Sequence, residues 1–185
     1  MGTKTSVLAS QLKFVCYLML FFTVIEVVNI IFARSLNVYG IYPREWVGLR
    51  GIFFSPFLHG NLAHFASNII TLGIFSLLVL QYGKKIYITV SLYLVLSIGI
   101  LVWLFARPAM HIGASGIIYG YFGFLVLGGL ISGRIKLIII SLVVGFFYGG
   151  LIFGVFPTNS FVSWESHLFG FIAGLCAAKI WAKKR

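Results

Sequence analysis

Six apolar runs, each close to the length needed to cross a bilayer, constrain the fold of this chain more than any other feature. A transmembrane helix needs about 20 apolar residues. The runs cover approximately residues 14–32, 62–80, 86–105, 115–131, 137–156 and 164–181. Of the 185 residues, 61% are hydrophobic and only 9% are charged, which leaves too little polar surface to cover a soluble domain. The sequence therefore predicts an all-α membrane protein, a six-helix bundle forming one membrane domain over residues 1–185.

The positions of the basic residues predict how this bundle is oriented. With a cytoplasmic N-terminus, ten of the 14 Lys and Arg residues fall on the cytoplasmic side. The other four, Arg34, Arg44, Arg50 and Arg107, fall on the outer side. Cytoplasmic connections carry the excess of basic residues, so both termini are expected in the cytoplasm. The net charge of +11 is interpreted as this topology signal, and nucleic-acid binding is not predicted because no soluble segment carries a basic stripe.

Four polar side chains stand near the beginnings of three apolar runs. His64 and Asn68 share one face of the second run, Ser115 begins the fourth, and His167 lies near the start of the sixth. In the predicted orientation all three runs begin on the outer side, so these groups are expected at one depth. A serine, a histidine base and hydrogen-bond donors are the parts of a serine hydrolase. Glu165 is two positions from His167 and does not share its face, so the pattern predicts a Ser-His dyad without a carboxylate.

Glycines accompany these polar groups. Gly113 and Gly116 flank Ser115, and Gly170 and Gly174 follow His167 at helical spacing. Small residues at such positions let two membrane helices approach closely. The fourth run offers a matching face that includes Gly116 and Gly120. Each feature taken alone also has a structural interpretation: glycine spacing indicates packing, Ser115 can cap a helix, and a His-Asn pair can link two helices.

Other polar residues in or beside the runs are interpreted as structural. Glu26, with Asn29 on the same face of the first run, is expected to make a contact between helices rather than to act in catalysis. His59 lies just before the second run and is assigned a structural role. Ser163 is expected to cap the last helix through its side chain, with Glu165 in the first turn complementing the helix dipole.

Three motifs, each in a different apolar run, together carry a family resemblance. They are His59-x4-His64-x3-Asn68, Gly113-x-Ser115-Gly116-x2-Tyr119 and His167-x2-Gly170-x3-Gly174. In their order and in the helices that hold them, they resemble the rhomboid family of intramembrane serine proteases. The resemblance implies that Ser115 is the nucleophile and His167 the general base. It also implies that His64, Asn68 and the Ser115 N–H hold the oxyanion, and that Tyr119 stacks against His167.

The resemblance carries further expectations about the membrane. The connection over residues 34–61 would be the family's membrane-embedded loop, which fits Trp46 and Tyr42 at headgroup depth, although an ordinary juxtamembrane loop also fits the pattern. Trp46 is followed by Val47 rather than by the arginine common in the family, so the anchoring of this loop is left open. The fifth run, with the cap that precedes it, would gate the entry of substrates.

Substrate, cofactor and location are also expectations of the resemblance. The substrates would be transmembrane proteins in a lipid bilayer, cleaved without a metal or other cofactor. The protein would lie in the bacterial cytoplasmic membrane, with its active site open to the outer side. Two alternatives remain: a rhomboid-like protein that escorts membrane clients without cutting them, and a small transporter or channel subunit. An aspartyl protease is excluded because the sequence contains no aspartate.

Overall fold

A computed structural model describes residues 4–157 and 162–183 of the chain. Within these two ranges it contains seven α-helices and no strand beyond one isolated bridge between Ile41 and His111. The helices are α1 (Lys4–Ile31), α2 (Gly51–Phe54), α3 (Leu62–Val79), α4 (Lys84–Phe105), α5 (Ser115–Ile131), α6 (Ile135–Tyr148) and α7 (Trp164–Trp181). Short 3₁₀ segments cover Ser35–Tyr39, Trp46–Arg50, Ser55–Phe57, Leu80–Tyr82 and Gly149–Val155. The predicted all-α class is confirmed.

The six long helices follow the predicted apolar runs with two differences. Helix α1 begins at Lys4, ten residues before the predicted start, because Lys4, Gln11 and Lys13 interrupt the apolar residues of this stretch and weaken its hydropathy signal. The run predicted over residues 137–156 is α-helical only to Tyr148 and continues as the 3₁₀ segment Gly149–Val155. Glycine weakens an α-helix, and three of the seven residues in that segment are glycines, Gly149, Gly150 and Gly154.

Four helical stretches in the described part of the chain are long and apolar enough to cross a membrane, by length and composition. They are Ser6–Ile31, Leu62–Tyr82, Lys84–Phe105 and Ile135–Val155. Helix α5 is apolar but has only 17 residues, about 25 Å at the α-helical rise. This is less than the roughly 30 Å of a bilayer's hydrocarbon core. A short α5 lying along the bilayer normal would therefore place at least one of its ends within the apolar layer.

Helices α5 and α7 form the centre of the bundle. Their main chains lie so close that a Cβ on Gly170 would overlap the carbonyl oxygen of Gly116, and one on Gly174 would overlap that of Gly120. The glycine faces expected from the sequence therefore meet each other. Because this seam joins the helix that begins at Ser115 to the helix that carries His167, it sets the distance between the two side chains.

The connection between α1 and α3 is folded against the loop that precedes α5. Ile41 and His111 exchange two main-chain hydrogen bonds, and the Gly113 N–H donates to the Ser55 carbonyl at 2.9 Å. A Cβ on Gly51 would overlap the main chain at Gly40, so the connection is also tightly folded on itself. These contacts hold the loop that leads into α5.

Candidate active site

Ser115 is the first residue of α5, and the backbone before it makes a turn that favours glycine. Gly113 has φ of 112°, a conformation that side chains with a Cβ rarely adopt. A Cβ there would also lie 2.8 Å from His64 Nε2 and 3.8 Å from Ser115 Oγ. Gly113 therefore permits the turn and lets His64 come close to the helix start. The first amides of a helix have no partner within it and are available to bind an anion.

His167, near the start of α7, contacts Ser115 directly. Its Nε2 lies 2.9 Å from Ser115 Oγ, and its Nδ1 lies 2.9 Å from the carbonyl oxygen of Gly154. A carbonyl can only accept, so the neutral ring carries its proton on Nδ1 and leaves Nε2 to accept from the serine hydroxyl. This is the tautomer that a general base requires. The orienting group is a main-chain carbonyl in the 3₁₀ segment after α6.

Tyr119 fixes the imidazole from its face. The two rings are stacked with centroids 4.0 Å apart and planes within 5° of parallel, which is the contact expected from the resemblance. A Cβ on Gly154 would overlap the Tyr119 hydroxyl. The ring of His167 is therefore held by Tyr119 on its face and by Gly154 and Ser115 at its two nitrogens.

His64 and Asn68 enter the site from the first turns of α3. The Asn61 side chain accepts a hydrogen bond from the His64 N–H at 2.8 Å and so caps this helix. Asn68 Nδ2 donates to the His64 carbonyl at 2.7 Å, and its side chain is buried. The Nε2 edge of the His64 ring faces the turn at Gly113, next to Ser115.

One open cavity of about 790 Å³ brings the candidate residues together. Ser115, His167, Tyr119, His64 and Asn68 all line it, together with Ile112, Met110, Ile118, Leu151 and Val162. The α3 side of the cavity is polar and the other sides are largely apolar. Such a cavity can admit an extended segment of peptide to the serine hydroxyl.

A buried charged cluster lies behind His64. Glu26 Oε1 is 2.9 Å from Arg34 Nη2, and Glu26 Oε2 is 3.6 Å from His59 Nδ1. Glu26 thus makes the structural contact that its sequence position suggested, although its partner is the arginine just beyond its own helix. Burial, with the positive charge of Arg34 and the neighbouring His64, lowers the pKa of His59 to about 4. The His59 ring is therefore neutral near pH 7.

The prediction for Ser163 is wrong. Ser163 precedes α7, but its side chain caps no amide of that helix. Its Oγ instead lies 2.6 Å from His111 Nδ1 and 2.6 Å from Ser166 Oγ. The reason is that His111, fully buried in the loop before α5, needs a partner for its ring nitrogen; its burial also lowers its pKa.

Glu165 faces away from the candidate site, as its spacing from His167 indicated. Glu165 Oε1 lies 3.4 Å from Arg107 Nη1 and accepts from the Arg107 N–H at 3.3 Å. Arg107 Nη2 also donates to the Val162 carbonyl. This carboxylate therefore ties the end of α4 to the start of α7, and the orientation of His167 comes from Gly154.

Two parts of the arrangement could not be found from sequence reasoning. The Gly154 carbonyl is a main-chain group, so no residue type predicts its contact with His167. The sequence signal is the glycine at this position, because the close approach to Tyr119 excludes a Cβ. The pairing of Glu26 with Arg34 had a weak signal, since an acidic residue within a membrane run needs a cation and Arg34 follows eight positions later.

Comparison with known proteins gives this arrangement a family. The family model described as the Rhomboid domain matches residues 44–184. A protein of Mycobacterium tuberculosis is 35% identical over 163 residues, covering 83% of this chain and 68% of that protein. A protein of Mycobacterium bovis matches to the same extent, and one of Mycobacterium leprae is 35% identical with 64% of its length covered. All three are described as uncharacterized. The chain belongs to the rhomboid family and is an integral membrane protein.

Proposed function

We propose that this protein is an intramembrane serine endopeptidase that hydrolyses peptide bonds in or near the transmembrane segments of other membrane proteins. The observation that carries the proposal is the 2.9 Å contact between Ser115 Oγ and His167 Nε2, with His167 Nδ1 occupied by the Gly154 carbonyl. A serine beside a correctly oriented base is an activated nucleophile. The rhomboid family, known for this chemistry, supplies the second support.

The proposed reaction begins when Ser115 Oγ attacks the carbonyl carbon of the scissile peptide bond and His167 Nε2 takes the hydroxyl proton. The new oxyanion accepts hydrogen bonds from the Ser115 N–H and from the His64 and Asn68 side chains. His167 then gives its proton to the leaving amine as the C–N bond breaks. A water molecule, deprotonated by His167, hydrolyses the acyl ester and restores Ser115. None of these steps requires a metal or a cofactor.

The membrane arrangement belongs to the same proposal. Six helices would span the bilayer with both termini in the cytoplasm, in the cytoplasmic membrane of a bacterium. The beginnings of α3, α5 and α7, and with them the cavity, would then open to the outer side. A substrate helix shields its carbonyls by internal hydrogen bonds, so it would unwind locally before Ser115 could attack. The exposed helix α6 would form the side through which the substrate enters.

Labelling with a fluorophosphonate probe, combined with cleavage of a model transmembrane substrate in proteoliposomes, tests this function. The wild type is expected to be labelled and to cleave. Ser115→Ala should lose both activities, and His167→Ala should lose cleavage while folding normally. Ser97→Ala is the matched control, since Ser97 lies on α4 and hydrogen bonds within its own helix; it should remain active. Cleavage by Ser115→Ala, or a folded wild type that binds clients without cutting or labelling, would contradict the proposal.

A further inference from the structure

The buried cluster behind His64 is not used by the proposed reaction, yet its polar groups converge on one residue. Glu26 and His59 are almost completely buried, at 1% and 0% exposure. Arg34 Nη1 and Asn37 Nδ2 both donate to the His59 carbonyl, at 2.6 and 3.2 Å. Asn29 Nδ2 donates in turn to Asn37 Oδ1 at 2.9 Å. The end of α1 and the start of the first connection therefore hold His59 by its main chain.

The Glu26 carboxylate also lies beside the His59 ring. Glu26 Oε2 is 3.6 Å from His59 Nδ1, beyond hydrogen-bond distance, while the other oxygen of that carboxylate is paired with Arg34. One carboxylate thus faces both the ring of His59 and the arginine that binds its carbonyl. Moving or removing Glu26 would therefore change the surroundings of both the His59 ring and the arginine that binds its carbonyl.

The His59 ring contacts the ring of His64, the candidate oxyanion donor. The two rings meet edge to face, with centroids 5.1 Å apart and planes at 77°. The Nε2 edge of His64 faces the turn at Gly113, next to Ser115. Because the two rings are in contact, we expect a rotation of the His59 ring to shift the His64 ring.

A buried carboxylate such as that of Glu26 is a costly way to anchor a loop. Burying an ion pair costs several kcal/mol per ion in desolvation, and well-packed apolar residues often stabilise a fold as well or better. An ionisable residue within an apolar run is also expensive to insert into a membrane. Anchoring the loop alone would not require a carboxylate here. A directional role, in which the charge sets the orientation of a neighbouring ring, accounts for its presence.

We propose that Glu26 is a positioning residue for the oxyanion site and acts through His59 on His64. This inference rests on the proposed function, because it assigns Glu26 to the same reaction. Glu26 touches neither substrate nor reacting atoms. Its loss is expected to weaken stabilisation of the transition state while leaving the binding of the substrate's remote parts unchanged.

A double-mutant cycle on kcat tests the inference, using purified full-length protein in proteoliposomes. Glu26→Gln and His59→Gln should each lower kcat about tenfold, less than the roughly hundredfold that a 1 Å misplacement can cost, with KM changed less than about twofold. The double variant should lose no more than His59→Gln alone, because one effect passes through the other. The inference would be overturned if the fall in kcat of the double variant equalled the product of the two single falls, or if Glu26→Gln kept the wild-type kcat.

Two further variants separate positioning from stability. Val90→Ala removes buried apolar atoms from α4 and lowers stability without touching the cluster; its folded fraction should keep the wild-type kcat. An equal fall in kcat for Val90→Ala and Glu26→Gln would indicate a structural role only. Glu26→Asp keeps the negative charge but moves it away from His59, so a small fall in kcat is expected. An unchanged kcat in Glu26→Asp would contradict the inference. Ser115→Ala, run beside them, reports separately on the proposed function.

Discussion

The two sides of the cavity use glycine in opposite ways. Along the seam between α5 and α7, glycines replace side chains that would overlap the main chain of the facing helix, as at Gly170 and Gly174. On α6 and the 3₁₀ segment after it, a Cβ on Gly145, Gly149 or Gly150 would meet nothing within 4 Å. The same residue type brings two helices into contact on one side and weakens a helix on the other.

This difference separates a fixed side of the cavity from a loosely held one. Ser115, Tyr119 and His167 lie on the tightly packed seam, and His64 is held by His59. Helix α6 packs closely on α5 near its start, where a Cβ on Gly129 would overlap the Leu137 carbonyl. Its second half buries only Val144, and large side chains there, such as Phe146 and Phe147, are exposed. Gly154 connects the two sides, because its carbonyl accepts from His167. A segment with few buried contacts is the part of a structure that opens most readily.

The largest expected effect comes from breaking the seam. Gly174→Ala places a methyl group against the Gly120 carbonyl, so α5 and α7 must separate. The free energy of unfolding should fall by about 3 kcal/mol, the upper end for overpacking, and substrate cleavage should fall below detection as Ser115 and His167 part. Gly149→Ala on the loose side should leave cleavage unchanged and should raise the free energy of unfolding by at most about 1 kcal/mol. Unfolding in detergent and cleavage assays compare the two variants. Equal effects of Gly174→Ala and Gly149→Ala would show that the two sides of the cavity do not differ in this way.

The free energy of unfolding should also depend on pH, because His59 lies on the fixed side of the cavity. Its pKa is lowered to about 4 in the folded protein from 6.5, so the unfolded chain binds the proton first as pH falls. The neutral His59 ring makes its full contribution to stability above pH 6.5, and this contribution is lost as pH falls toward 4. The free energy of unfolding should therefore be about 2 kcal/mol lower at pH 4.5 than at pH 7. His59→Gln should flatten this slope, and a slope identical to that of the wild type would exclude His59 as its source.

The smallest effect is expected where the two sides meet. In Gly154→Ala the new methyl group overlaps the Tyr119 hydroxyl, so the 3₁₀ segment moves and its carbonyl withdraws from His167. The value of kcat should fall about tenfold, or roughly 1.4 kcal/mol in the barrier, with little change in stability. Gly150→Ala, four residues earlier on the same segment, is the control and should keep the wild-type kcat. A wild-type kcat in Gly154→Ala would show that His167 does not depend on this carbonyl.

Most of the helical layout could be read from the sequence because hydropathy is a local property. The bounds of α5 and α7 agree with the apolar runs, and α3 and α4 differ by at most two residues. The predicted run extends beyond the end of α6, because apolar residues with three glycines give the same hydropathy signal in an α-helix and in a 3₁₀ segment. Residue type and position together selected Ser115, His167, His64 and Asn68 as candidates, since all four lie near the beginnings of runs that are expected to start on the same side.

The sequence by itself determined a membrane-embedded, all-helical chain with a serine, two histidines and an asparagine near the beginnings of three helices. Only the tertiary structure decided which groups orient them. His167 takes its orientation from the main chain of Gly154, His64 from a ring whose support is Glu26, and Ser163 bonds His111 instead of capping α7. A carbonyl has no side-chain identity, and an ion pair between buried groups depends on how helices and loops meet. Both are properties of packing, which the order of residues does not display.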